Sequence, residues 1–224
     1  MSYDEYIRYH RQGDAGVEER TIARLGKELE LSSWDRFRLV YYYSMTYNIP
    51  SALDMLLMNV TDMAKLQFRT DRRYVRCNGA FARMLSELSN AKEKALMQVS
   101  SSQEAYNEVT RWFFFGRYAA FLFLEAYWNV FSPKWTDNVR FGWESNENYT
   151  RGAILITGSN DRKVLDQFLS TAKNDTEDNA FAIETSLCAA YTMFKGTRWN
   201  GYYTERMMNE AENSRYKELI YRVL

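Results

Sequence analysis

The chain has 224 residues, 46% of them hydrophobic, and its 29 Lys and Arg balance 29 Asp and Glu to a formal net charge of zero. That supplies apolar material for one continuous core and excludes a global field that would draw the protein to nucleic acid or an anionic membrane, so any nucleic-acid site must be a local patch. Cys77 and Cys188 give neither a disulfide framework nor a CxxC zinc spacing, and His10 is the only histidine, which leaves almost no material for a Ser-His-Asp triad, a Cys-His pair or a His-based metal site. Chemistry must run on Glu, Asp, Tyr, Lys and Arg.

From the N-terminus, the first segment is polar and charged, unlike a signal peptide, so a cytoplasmic protein is expected. Apolar residues then recur at three- and four-residue spacing, and only Pro50 and Pro133 interrupt the chain, which predicts an all-α fold. Ser32 with Asp35, Ser51 with Asp54 and Ser101 with Glu104 have the form of helix-start capping boxes, predicting helices over 17–30, 33–47 and 51–67. After a basic turn, helices follow over 79–98 and 103–131, the second a long central helix stopped by Pro133. Its apolar stretch from Trp112 to Phe131 carries Arg117, Glu125 and Asn129. As a membrane span it would leave ionised groups in hydrocarbon at roughly 2.5–3.5 kcal/mol each, so a buried helix is expected and no membrane partner.

Residues 132–150, with Trp135, Phe141 and Trp143, lack a period and read as an aromatic surface loop, a candidate lid. The run Ala153 to Thr157 has strand character but no pairing partner, and is read as the lead-in to a helix over 160–173. Helices over 179–195 and 202–223 close the chain, with Gly196 in the position of a left-handed cap. No repeat or linker appears, so residues 1–224 are expected to form a single multi-helix domain.

Polar residues break the pattern in three places. Helical geometry puts Arg36, Val40, Tyr43 and Tyr47 on one face, which can stack a base while Arg holds phosphate, or can equally be core tyrosines with satisfied hydroxyls. Glu184, Cys188, Tyr191 and Lys195 share a stripe on an apolar helix. Burying Glu184 requires either a paired cation or a catalytic use, and the same choice covers Glu125. The junction from Lys195 to Arg206 packs cations, aromatics and two glycines at a helix N-terminus, where free N–H groups beside an arginine suit phosphate. Arg69, Arg72, Arg73 and Arg76 form the local basic run best suited to DNA backbone contacts, or a solvated turn.

Two blocks, RFRLVYYYSMTYNIPSAL and ETSLCAAYTMFKGTRWNGYYTERM, resemble the phage amino acid:DNA transferase family associated with alpha-glutamyl- and alpha-putrescinyl-thymine hypermodification. They cover about a fifth of the chain. The resemblance implies an enzyme of the host-cell cytoplasm acting on polymerised DNA, in which a pyrophosphorylated 5-hydroxymethyluracil exchanges pyrophosphate for an amino acid or polyamine. Such a site needs cations for the leaving group, a base for the amine, aromatic walls for a flipped base, and exclusion of water. Matching positions imply Arg198 and Arg206 on pyrophosphate and Glu184 as base or amine anchor. Tyr43, Tyr202 and Tyr203 would shape the base pocket, with Arg36 and Lys195 holding substrate. No cofactor or protein metal site is implied, although Mg²⁺ can bridge pyrophosphate. Two other readings fit the same surface: a non-catalytic helical phage protein that binds DNA or a partner, and a glycosylase-like base-flipping enzyme.

Overall fold

A computed structural model describes residues 1–69 and 78–224, and among them every regular element is helical. The all-α expectation therefore holds. In chain order the α-helices are α1 (Tyr3–Gln12), α2 (Val17–Glu28), α3 (Ser33–Thr46), α4 (Ile49–Leu57), α5 (Asn78–Glu87), α6 (Asn90–Gln98), α7 (Ser102–Val109), α8 (Arg117–Phe131), α9 (Asn148–Thr157), α10 (Arg162–Thr176), α11 (Ala180–Phe194), α12 (Tyr202–Glu212) and α13 (Lys217–Val223). The chain forms two compact units, one of Met1–Val17 with Asp137–Glu205, the other of Glu18–Thr136 with Arg206–Leu224. Among the described residues no helix is long and apolar enough to cross a membrane.

Several helix boundaries differ from the sequence expectation, each for a local reason. The expected helix over 103–131 is two, α7 and α8, separated by a turn in which Phe114 takes a left-handed φ of 68° and Gly116 caps α8. Trp112, in that turn, packs edge-on against Phe115 and Phe123 and within 6.3 Å of Phe37, so a straight helix would carry its indole out of the core. The run over 51–67 starts earlier and stops sooner. Asn48, not Ser51, is the cap, its side chain accepting from the Ser51 N–H with Pro50 in the first turn, and Asn59 at φ 52° follows the end of α4. Ala153 to Thr157 are neither strand nor lead-in but the C-terminal half of α9.

In the second unit, α3 and α8 build an aromatic core. Phe37 and Tyr41 meet Phe123 edge-on at 5.9 and 6.5 Å, and Tyr41 meets Phe115 at 5.2 Å. Each such pair contributes about 0.5–1.5 kcal/mol beyond the area it buries. Trp135, expected on a lid, instead stacks flat on Tyr127 of α8 at 5.3 Å.

In the first unit, α9 lies against α11 at Gly152, where a Cβ would stand 2.3 Å from the Leu187 carbonyl oxygen. Only glycine allows that approach. Phe141 and Trp143, the other aromatics of the expected lid, are buried here, packed on Tyr149 at 5.3 and 5.8 Å. They are wall, not cover.

Candidate functional site

The second unit holds a buried cluster of charge built from α2, α3, α12 and the segment before residue 70. The Arg69 guanidinium is bidentate to the Glu18 carboxylate and also donates through Nε to Glu210 Oε1 at 2.8 Å and through Nη2 to Glu210 Oε2 at 2.9 Å. Burial opposes the Arg69 charge, but the Glu18 charge and the hydrogen bonds to Glu210 and Glu18 outweigh it and hold its pKa well above the ordinary value. Tyr43 Oη lies 2.9 Å from Glu18 Oε2 and 2.8 Å from Glu19 Oε1, and its one proton can serve only one of them at a time. Arg206 Nη2 stands 4.0 Å from Glu18 Oε1.

This arrangement corrects two expectations. Arg69 does not face solvent as a DNA-backbone contact, because it is 6% exposed and spent on two carboxylates. Tyr43 is 0% exposed and presents no ring face on which a base could stack. Arg72, Arg73 and Arg76 lie outside the described residues. Arg36 is half-buried: a Cβ at Gly26 would sit 3.3 Å from its Cγ, and its Nε is buried without a hydrogen-bond partner among the described residues.

Burial is also the main influence on Glu210, raising its pKa against the opposing pull of Arg69. The folded chain thus keeps this proton to higher pH than the unfolded chain. The corresponding stability is fully present below the ordinary value of 4.5 and is lost as pH rises through the raised one. Glu210→Gln should accordingly flatten the profile above 4.5, read by urea unfolding at a series of pH values. A profile as steep as that of the parent protein would assign the slope to other groups.

In the first unit, the turn between α11 and α12 gathers cations and rings, Arg198 and Tyr202 half-buried and Tyr203 buried. The Arg198 guanidinium lies 5.1 Å from the ring centroids of both Tyr202 and Tyr203 and hydrogen-bonds the Tyr203 hydroxyl. Trp199 stands edge-on to Tyr202 at 5.0 Å and is 54% exposed, and Phe194 is 64% exposed. Lys195 is exposed, its ammonium 5.7 Å from the Tyr191 ring. Beneath them the Tyr9 hydroxyl is buried with no hydrogen-bond partner among the described residues, its ionisation suppressed first by burial and then by the charges of Tyr203 and Asp14.

The α12 N-terminus, expected to offer free N–H groups to phosphate, is already capped from within the unit. Asp14 accepts from the backbone N–H of Thr204 at 3.0 Å and of Tyr203 at 3.3 Å, and from the Thr204 hydroxyl at 2.8 Å. A phosphate there would meet a buried carboxylate.

Glu184 is 2% exposed on α11, with the Cys188 thiol 3.8 Å from its Oε1. It lies ten residues before Phe194, about 15 Å along the helix axis, so a ligand that meets both spans that length. Glu125, in the second unit, is likewise 2% exposed.

Sequence reasoning missed one constellation. His10 Nδ1 is 2.9 Å from Ser186 Oγ and its Nε2 is 3.2 Å from Asp178 Oδ2, so the one histidine does stand between a serine and an aspartate. It is not a nucleophilic triad. Ser186 is 1% exposed in the middle of α11, also bonded to the Tyr6 hydroxyl at 2.7 Å and to the Ile183 carbonyl at 3.0 Å, so no substrate carbonyl reaches its Oγ. Its partners lie 176 and 168 residues from His10, beyond any local motif.

Among the described residues no group of three or more His, Cys, Asp or Glu side chains is assembled to hold a metal ion. No family model, curated protein or solved structure matches the chain.

Proposed function

We propose that the protein is a DNA base-hypermodifying transferase that replaces the pyrophosphate of a pyrophosphorylated 5-hydroxymethyluracil with an amino acid or polyamine. The observation that carries this reading is the turn around Arg198, where exposed Trp199 and an arginine packed against two tyrosine rings supply stacking and charge together. In this scheme the bond between the 5-methylene carbon and the ester oxygen breaks with electron donation from the pyrimidine ring. Pyrophosphate leaves with the bonding pair, and Arg198 is the cation that receives it. The amine nitrogen then bonds to the methylene carbon and gives up its proton to water, because Glu184 is buried about 15 Å along α11 from the end that leads into this turn. Tyr202 and Lys195 hold the base and its flanking phosphates, with the buried Tyr203 fixing Arg198 from behind.

The decisive experiment is mass spectrometry of nucleosides after incubation with DNA carrying the pyrophosphorylated base and a mixture of amino acids and polyamines. An amine-substituted thymidine with release of pyrophosphate supports the transferase. Unchanged DNA that the protein nevertheless binds points to the binding-protein reading, and free base points to a glycosylase. Arg198→Gln should abolish turnover by removing the cation that receives pyrophosphate. Trp199→Ala should weaken single-strand binding about 5- to 100-fold by removing one stacking surface, and equal affinity in an anisotropy titration would take the turn out of the interface.

A further inference from the structure

A second feature of the first unit lies outside that reading: a cleft of about 430 Å³ between the loop 138–143 and one face of α10. Its volume falls in the range of small-ligand sites, roughly 300–1,000 Å³. Val139, Phe141 and Leu169 give it an apolar floor, and Arg140 and Arg162 stand exposed at its rim. Lys173 also lines it, but its charge is met by Asp137 at 3.0 Å. Asp166 is the carboxylate of the wall, and it accepts the Trp143 indole N–H at 2.6 Å. The Arg162 side chain makes no hydrogen bond or ion pair among the described residues.

The loop wall is held in place. Trp143 takes a left-handed φ of 50°, a conformation that a bulky residue keeps only where its surroundings over-determine it, here the bond to Asp166 and the packing on Phe141 and Tyr149. A fixed apolar floor under a rim of guanidinium groups, with the hydroxyl of Ser170 and the amide of Asn138 beside them, matches a small ligand with a flat apolar body and a doubly charged anionic end. We infer that this cleft binds a nucleotide, its phosphate on Arg140 and Arg162 and its base toward Phe141 and Leu169. The nucleotide has two sources, a free nucleoside monophosphate or one unit of a DNA strand.

The test is isothermal titration calorimetry of the full chain at low ionic strength with thymidine 5′-monophosphate, thymidine and a short single-stranded oligothymidylate, repeated on Arg140→Gln/Arg162→Gln. The monophosphate should bind, thymidine should bind at least tenfold more weakly, and the double variant, checked for unchanged helicity by circular dichroism, should lose at least tenfold in affinity. If only the oligonucleotide binds, with the same loss in the variant, the cleft takes its nucleotide from a strand. Absence of binding by both, equal binding of thymidine, or equal affinity in the variant overturns the inference. Neither arginine has a part in the proposed transfer chemistry, so an inert cleft and an inert transferase are separate outcomes.

Discussion

Arg69→Met is expected to be among the most damaging single substitutions in the second unit, costing about 3–5 kcal/mol. The reason is the pair of carboxylates left behind. Glu18 is 4% exposed and Glu210 16%, and Arg69 is the cation bonded to both, with Arg206 4.0 Å from Glu18. Methionine fills much of the volume but leaves two partly desolvated anions facing one another. Adding Glu18→Gln to Arg69→Met should therefore recover a sizeable part of the loss, because the uncompensated charge is removed with its partner. Chemical unfolding of the parent, both single variants and the double variant gives the coupling. If the double variant is as unstable as the sum of the singles, the cluster acts through packing and not through charge.

Gly152→Ala should destabilise the first unit by about 2–3 kcal/mol, a large effect for one added methyl group. The new Cβ would lie 2.3 Å from the Leu187 oxygen and 3.0 Å from its carbonyl carbon, and both are backbone atoms that no side-chain rotation can move. α9 and α11 must separate. The opposite result is expected at Gly79, where a Cβ meets nothing within 4 Å, and Gly79→Ala in α5 should be neutral or mildly stabilising. Thermal melts of the two variants side by side check the contrast, and a Gly152→Ala melt matching the parent would mean that the helices have room to part.

How far the sequence could be read depended on how local the determining interaction was. Ser32 and Ser101 cap their helices as their spacing predicts, since each accepts from a backbone N–H three residues on. Ser2 and Glu5 form a complete capping box of the same kind, a signal present in the first five residues that would have announced α1. The break between α7 and α8 was not legible, because apolar periodicity runs through it and the burial of Trp112 in a tertiary core decides where it falls. The candidate site was harder still. Arg198, Tyr202 and Tyr203 do come together, being neighbours in the chain. Arg69 was misassigned because its partners stand 51 and 141 residues away, and a buried ion pair looks like a solvated basic turn until those partners are known.

The Asp14 cap on α12 also governs how this protein meets free anions. A carboxylate tethered by its own fold competes at an effective concentration that millimolar phosphate or sulfate in solution does not match, and it has already met the cost of desolvation. The helix end therefore behaves as a site with a permanent internal inhibitor. Inorganic anions will not register there, and a phosphate ester gains that end of the helix only if the rest of its molecule binds well enough elsewhere to evict a residue of the chain itself.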